Sequence, residues 1–184
     1  MIVLIPTYWA TYGPANFLWF SDITLMLACF AIITEQRLLA SMAAVGGLVL
    51  ESFWIIDLLI RLCCDIHLTG LTDYMFDPSL SIWLRSLSLF HIILPPLLLW
   101  LIVRLGYDNR AWRLQTLLSW IIIVITWLLT EPSENINWVF SYQNSEWLVN
   151  HPLLYLSIEF VVVTAIYAMT HLFLIQIKKI KFHY

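Results

Sequence analysis

The 184-residue chain is 61% hydrophobic and 11% charged, with a mean hydropathy of +0.85, far from the roughly 25% charged residues of a soluble globular domain. That composition excludes a water-soluble enzyme and reads as an integral membrane protein with the lipid bilayer as its first partner. A formal charge of -3, with no Lys/Arg stripe away from the membrane flanks, argues against nucleic acid as a partner.

In chain order, MIVLIPTYWATYGP is uncharged and punctuated by Pro6, Gly13 and Pro14, which reads as a short interfacial lead-in whose Tyr8, Trp9 and Tyr12 suit the headgroup level. A first span is expected over about 14-33, near the ~20 residues a bilayer needs. The second, about 38-62, carries Ala40, Ala43, Gly47, Glu51, Trp54, Asp57, Arg61 and Asp65 along one helical stripe, small in its first half and charged in its second. Small residues at that spacing let helix backbones approach closely, so this stripe is expected to face the bundle, with Asp57 and Arg61 close enough to pair. The third span, about 80-103, stacks Ser81, Arg85, Ser88 and His91 on one face. Pro95 and Pro96 then remove the donors for the carbonyls of His91 and Ile92, which predicts a kink there. The fourth, about 112-129, is uncharged but for Arg113 and reads as a lipid-facing or supporting helix. A loop over 131-150 follows, whose Trp138, Phe140, Tyr142 and Trp147 suggest that it lies on the membrane surface. The fifth span, about 152-177, contains Glu159 and stops at KKIK. Cys29, Cys63 and Cys64 lack metal-ligand spacing and read as apolar packing residues.

The basic residues orient this single all-α domain. Arg37, Arg104, Arg110, Arg113, Lys178, Lys179 and Lys181 fall on one side of a five-span bundle, whereas the loops at 65-79 and 131-150 hold six acids and no Lys or Arg. Cytoplasmic loops carry the excess of Lys and Arg, which predicts an outside N-terminus and a cytoplasmic C-terminus.

At ~1.5 Å per helical residue, Asp22, Asp57, Arg85, Glu159, His91 and Glu51 lie roughly 12, 12, 9, 13, 18 and 21 Å from the outer ends of their spans. Four carboxylates thus share the outer half of the membrane with Arg61, Arg85 and one histidine. Burying that acidic excess uncompensated is too costly, so either some carboxyls are protonated or a cation sits among them. Asp22, Glu51, Asp57, Arg61, Arg85, His91 and Glu159 are the candidate ligand- or ion-binding residues, expected in one connected site with Arg85 paired to an acid of the first or second span. A metal held by His91 with Asp22, Asp57 or Glu159 has hard-oxygen donors but a single histidine, so the sequence specifies neither metal nor cofactor. The same charges also suit plain structural pairs that pin helices together.

The stretches GPANFLWFSDI (13-23), LTDYMFDP (71-78), LRSLSLFHIILPP (84-96), RLGYD (104-108) and NINWVF (135-140) resemble a group of small bacterial multi-pass proteins described as membrane-associated. The resemblance implies a bacterial inner-membrane protein and carries no activity with it. Three functions follow as expectations. The first is a protein that binds a proton, cation or small polar or lipid ligand. The second is a membrane-embedded enzyme acting on lipid or isoprenoid substrates, with His91 as acid/base, a carboxylate orienting it and Arg85 on an anionic headgroup. The third is a structural subunit of a membrane complex or a homo-oligomer.

Overall fold

The computed structural model describes residues 1-140 and 150-181, with side chains described as far as 177; the expected surface residues Tyr142 and Trp147 lie outside them. The described residues form helices α1 (Leu4–Tyr12), α2 (Phe20–Thr34), α3 (Arg37–Cys64), α4 (Ile82–Leu87), α5 (Phe90–Leu105), α6 (Ala111–Leu129) and α7 (Pro152–Lys181), with short 3-10 turns at Pro14–Leu18, Asp73–Phe76 and Ile136–Trp138. Among the described residues, four segments are long and apolar enough to cross a membrane, namely α3, the α4–α5 pair, α6 and α7.

α3 is the central helix, in contact with α2, α5, α6 and α7. Its small residues Ala40, Ala43, Ala44, Gly46 and Gly47 are all buried. A Cβ at Gly47 would sit 2.4 Å from Thr24 Cγ2 and 3.0 Å from Leu98 Cδ1, and one at Gly46 would sit 2.7 Å from Gln115 Nε2. The small stripe therefore lets α2, α5 and α6 approach the α3 backbone, as the spacing predicts. α6 is not a lipid-facing helix throughout. Gln115, Thr116, Ser119, Ile123 and Thr126 form its buried stripe, and Ser119 is bonded to Tyr167 of α7 at 2.9 Å; hydroxyl and amide groups at that spacing find partners only by facing protein.

Two expected spans are broken. The first is interrupted at Trp19, whose extended backbone separates the 3-10 turn from α2. The 15 residues of α2 reach only ~22 Å, short of the ~30 Å hydrocarbon core. The third breaks at Ser88 and Leu89, between α4 and α5, and helix continues through Pro95 and Pro96. Around the break, Ser88, Leu89, His91 and Ile92 donate to the carbonyls of Arg85, Ser86, Ser88 and Leu89, all three residues back. A proline ring crowds the carbonyl four residues earlier, here those of His91 and Ile92, and the break lies just upstream of them.

The two ends of the bundle differ. At one, Arg104 is paired with Glu35 at 2.7 Å, and buried Asp108 accepts from Arg110 Nε at 3.1 Å and Nη2 at 2.9 Å. The Arg110 guanidinium holds the Asp108 carboxyl down at about 2, with Arg37 adding to the effect. At the other end, the chain before α2 meets the 131-140 loop. Asn137 accepts from the Phe20 N–H at 2.9 Å and donates to the Leu18 carbonyl at 2.8 Å. The described part of this loop is thus tied into the bundle, with Ile136, Asn137 and Val139 buried. The lead-in forms α1, whose Leu4 and Tyr8 pack with Leu84 of α4 in a second apolar cluster. Cys63 and Cys64 are exposed, since they end α3 beyond the packed bundle, and so do not serve as core packing.

Candidate functional site

The broken first span, the α4–α5 break and the Asn137 anchor together leave an open cavity of about 420 Å³ at the acidic end of the bundle. Its aromatic lining is Tyr8, Tyr12, Trp19, Trp54, Tyr74 and Phe90. Polar groups are contributed by Asn16, Ser21, Asp22, Ser88, His91 and Glu134. Tyr12 and Glu134 are exposed and mark the mouth, whereas Tyr8, Asp22, Trp54, Ser88 and His91 are buried.

His91 is held from three sides. Its ring stacks on Trp54 with centroids 4.3 Å apart and on Phe90 at 4.2 Å, and its Nδ1 is hydrogen-bonded to Glu51. Glu51 is 1% exposed, and a carboxylate that far from water is tolerable only beside such a donor. Fixing Nδ1 on a carboxylate sets which nitrogen remains for other work, here Nε2 of a residue that lines the cavity.

Asp22 is 4% exposed and less well satisfied. Asn16 Nδ2 donates to its Oδ2 at 3.3 Å, while Oδ1 is buried with no hydrogen-bond partner. It stands in the first turn of α2, where the positive end of the helix favours a carboxylate, and near enough to Glu51 for the two charges to interact. Around the cavity, Tyr8 OH and Ser88 Oγ are 3.1 Å apart. Tyr74 is half-buried, and desolvation pushes its phenol well above the ordinary tyrosine range.

Asp22, Glu51 and His91 are therefore brought together, and the other four candidates are not among the cavity's lining residues. Asp57 does not pair with Arg61. Its Oδ1 accepts from Thr69 N–H at 3.0 Å and Thr69 Oγ1 at 2.7 Å, and its Oδ2 from Thr72 N–H at 3.1 Å and Thr72 Oγ1 at 2.6 Å. The loop after α3 turns back over the carboxylate, so four donors displace the single guanidinium expected from i,i+4 spacing. Arg61 pairs instead with Asp65, lies 3.8 Å from Asp73 and stacks on Phe76. Arg85 Nη1 donates to the Met75 carbonyl at 2.9 Å rather than pairing with an acid of α2 or α3, because α4 ends before the break and carries it toward the 73-76 turn. Glu159 accepts from Tyr155 on its own helix at 3.3 Å. Among the described residues there is no group of three or more His, Cys, Asp or Glu placed to hold a metal ion.

Sequence reasoning missed Asn137, Tyr8, Tyr74 and the polar group at the opposite end. There Tyr107 OH lies 2.6 Å from His171 Nδ1, and Ser41 Oγ accepts from the Asp108 N–H at 2.9 Å. The available signals were His171, set among apolar residues near the end of the fifth span, and Tyr-Asp within RLGYD, two polar side chains in a short link. Comparison with known proteins finds no match to the chain, whether among protein-family models, curated proteins or solved structures.

Proposed function

We propose that this is a ligand-binding protein of a bacterial inner membrane, in which α2 to α7 make five crossings with the cavity on the outer side. The Lys/Arg bias supports the orientation, since Arg37, Arg104 and Arg110 lie at the end of the bundle away from the cavity. α2 makes the first crossing together with the 3-10 turn before it. One observation carries the ligand reading: buried Asp22 lines an open aromatic cavity, and among the described residues its carboxylate has one hydrogen-bond donor, Asn16 at 3.3 Å, and an oxygen with none. A buried polar group without a partner is expensive, and a ligand with a donor or positive charge removes that cost. Native mass spectrometry of the protein extracted in mild detergent tests it. Wild type retains a small molecule or lipid, while Asp22→Asn and the cavity-filling Ser21→Trp lose it with their helix content unchanged. Identical bound masses in all three would refute the reading.

A second reading rests on the Glu51–His91 pair, which matches the orienter and base of general acid-base catalysis. In that case His91→Gln, which keeps a donor for Glu51 but no useful base, retains bound lipid and loses its conversion. Conversion at the wild-type rate would exclude His91 as the base.

A further inference from the structure

The lining of the cavity is specific about charge. Among the described residues, six aromatic side chains and the carboxylates of Asp22 and Glu134 line it, and no Lys or Arg does. Glu51 stands behind His91 and is already engaged by it, so Asp22 and Glu134 are the carboxylates left for a ligand. An anionic group entering this space meets like charge and the negative faces of aromatic rings. For an inorganic divalent ion the lining is poor, because among the described residues no three His, Cys, Asp or Glu converge to hold a metal. A positively charged nitrogen carrying carbon substituents is suited to both parts of the lining: aromatic faces attract it through their quadrupoles, more strongly as water is excluded, and a carboxylate neutralises it.

Resting on the reading of the cavity as a ligand site, we infer that its ligand is an organic cation, a quaternary or protonated amine, with the charged nitrogen against Asp22 and its alkyl groups among Trp54, Tyr8 and Tyr74. Trp54 is held in place by its stack on His91, so the Glu51–His91 pair positions one aromatic wall. Tyr12, edge-on to Tyr8 at 5.6 Å, forms the outer wall. An aromatic cage requires no hydrogen-bond donor on the ligand, and for that reason a quaternary ammonium is accepted as well as a primary one. The ammonium could be supplied by a free amine or by a zwitterionic lipid headgroup, both of which present the same chemistry at the mouth.

The test is calorimetric titration of the full-length protein, in nanodiscs of phosphatidylglycerol alone, with choline, tetramethylammonium and ethanolamine. Each is compared with choline's uncharged isostere, in which a quaternary carbon replaces the nitrogen. The cations bind at least about tenfold more tightly than the isostere. Asp22→Asn weakens them by about tenfold while leaving the isostere unchanged, and Tyr12→Ala weakens them severalfold where Tyr12→Phe does not. Repeating the titration in nanodiscs of phosphatidylcholine separates the sources: lost choline binding assigns the headgroup, and unchanged binding assigns the free amine. Equal affinity for cation and isostere overturns the inference but leaves a ligand site standing. Absence of binding by every titrant, together with no Asp22-dependent mass in the native spectrum, overturns both.

Discussion

Glu51 and Asp57 stand six residues apart on the buried stripe of α3, yet one meets a histidine and the other a loop. The sequence places both acids at membrane depth and on the inward face, which is as far as helical spacing carries. Partner choice depends on how the 65-80 segment folds back and on a break in the next helix, neither of which has a period to read. The Asp57 clasp gives a first prediction. Asp57→Asn replaces an acceptor by a donor that faces two of the four groups bound there, and should cost on the order of 3 kcal/mol, measurable as a lowered melting temperature and faster proteolysis within 65-80. An unchanged loop would show that the four bonds contribute little. The Glu51–His91 pair gives a second, through a double-mutant cycle. His91→Ala strands a buried carboxylate and should destabilise by ~3 kcal/mol or more, and adding Glu51→Gln should recover at least ~1 kcal/mol of that loss; strict additivity would mean the two groups are uncoupled. At the opposite end, Asp108 is held at about 2 in the fold by Arg110, below the ordinary aspartate value of about 4. A depressed carboxyl stabilises the fold fully above its unfolded value, and that contribution fades as pH falls through about 2. Wild-type stability should therefore drop between about pH 4 and 2 more steeply than that of Asp108→Asn in thermal melts at each pH.

Helices show most clearly what can and cannot be read. Small residues at Ala40, Ala43 and Gly47 announce the packed face of α3, and the structure buries every one. The double proline announces a disturbance in the next helix but misplaces it by about a turn, since the break lies at Ser88 and Leu89, before the carbonyls of His91 and Ile92 that the prolines crowd. α6 is the supporting helix of the two readings its sequence allows, and its scattered Thr, Ser and Gln residues reveal a stripe only once their partners on α3 and α7 are in place. A graded prediction follows for α3. Gly47→Ala drives a methyl into Thr24, whose branched side chain has one preferred rotamer in a helix or at most two, and should cost about 2 kcal/mol. Gly46→Ala meets the far end of Gln115, which can swing aside, and should cost clearly less. Equal melting temperatures for the two variants in detergent would show that α2 and α3 are looser than their spacing implies.

At the scale of the whole molecule, the five crossings proposed above predict the acidic loops and the cavity on the outside and the arginine-rich turns inside. Cys63 and Cys64 are exposed, so a cysteine-free background is needed to label the loops. In it, Ser79→Cys should react with an impermeant maleimide on intact spheroplasts, and Asn109→Cys only after the membrane is opened. Labelling of position 109 from outside would reverse or break the arrangement. The architecture leaves its cavity where three departures from regular helix coincide, at Trp19, at Ser88 and Leu89, and at the Asn137 anchor, and this is why a reading by span and depth finds the acids without finding the space between them. Whether that space is occupied is the central question, and a high-resolution density map of the wild-type protein in lipid nanodiscs decides it. The account expects non-protein density against Asp22, between α1, the start of α2 and the Trp54 face of α3. Rings of Tyr8, Trp54 and Tyr74 closed onto one another, with both Asp22 oxygens bonded to protein, would contradict it.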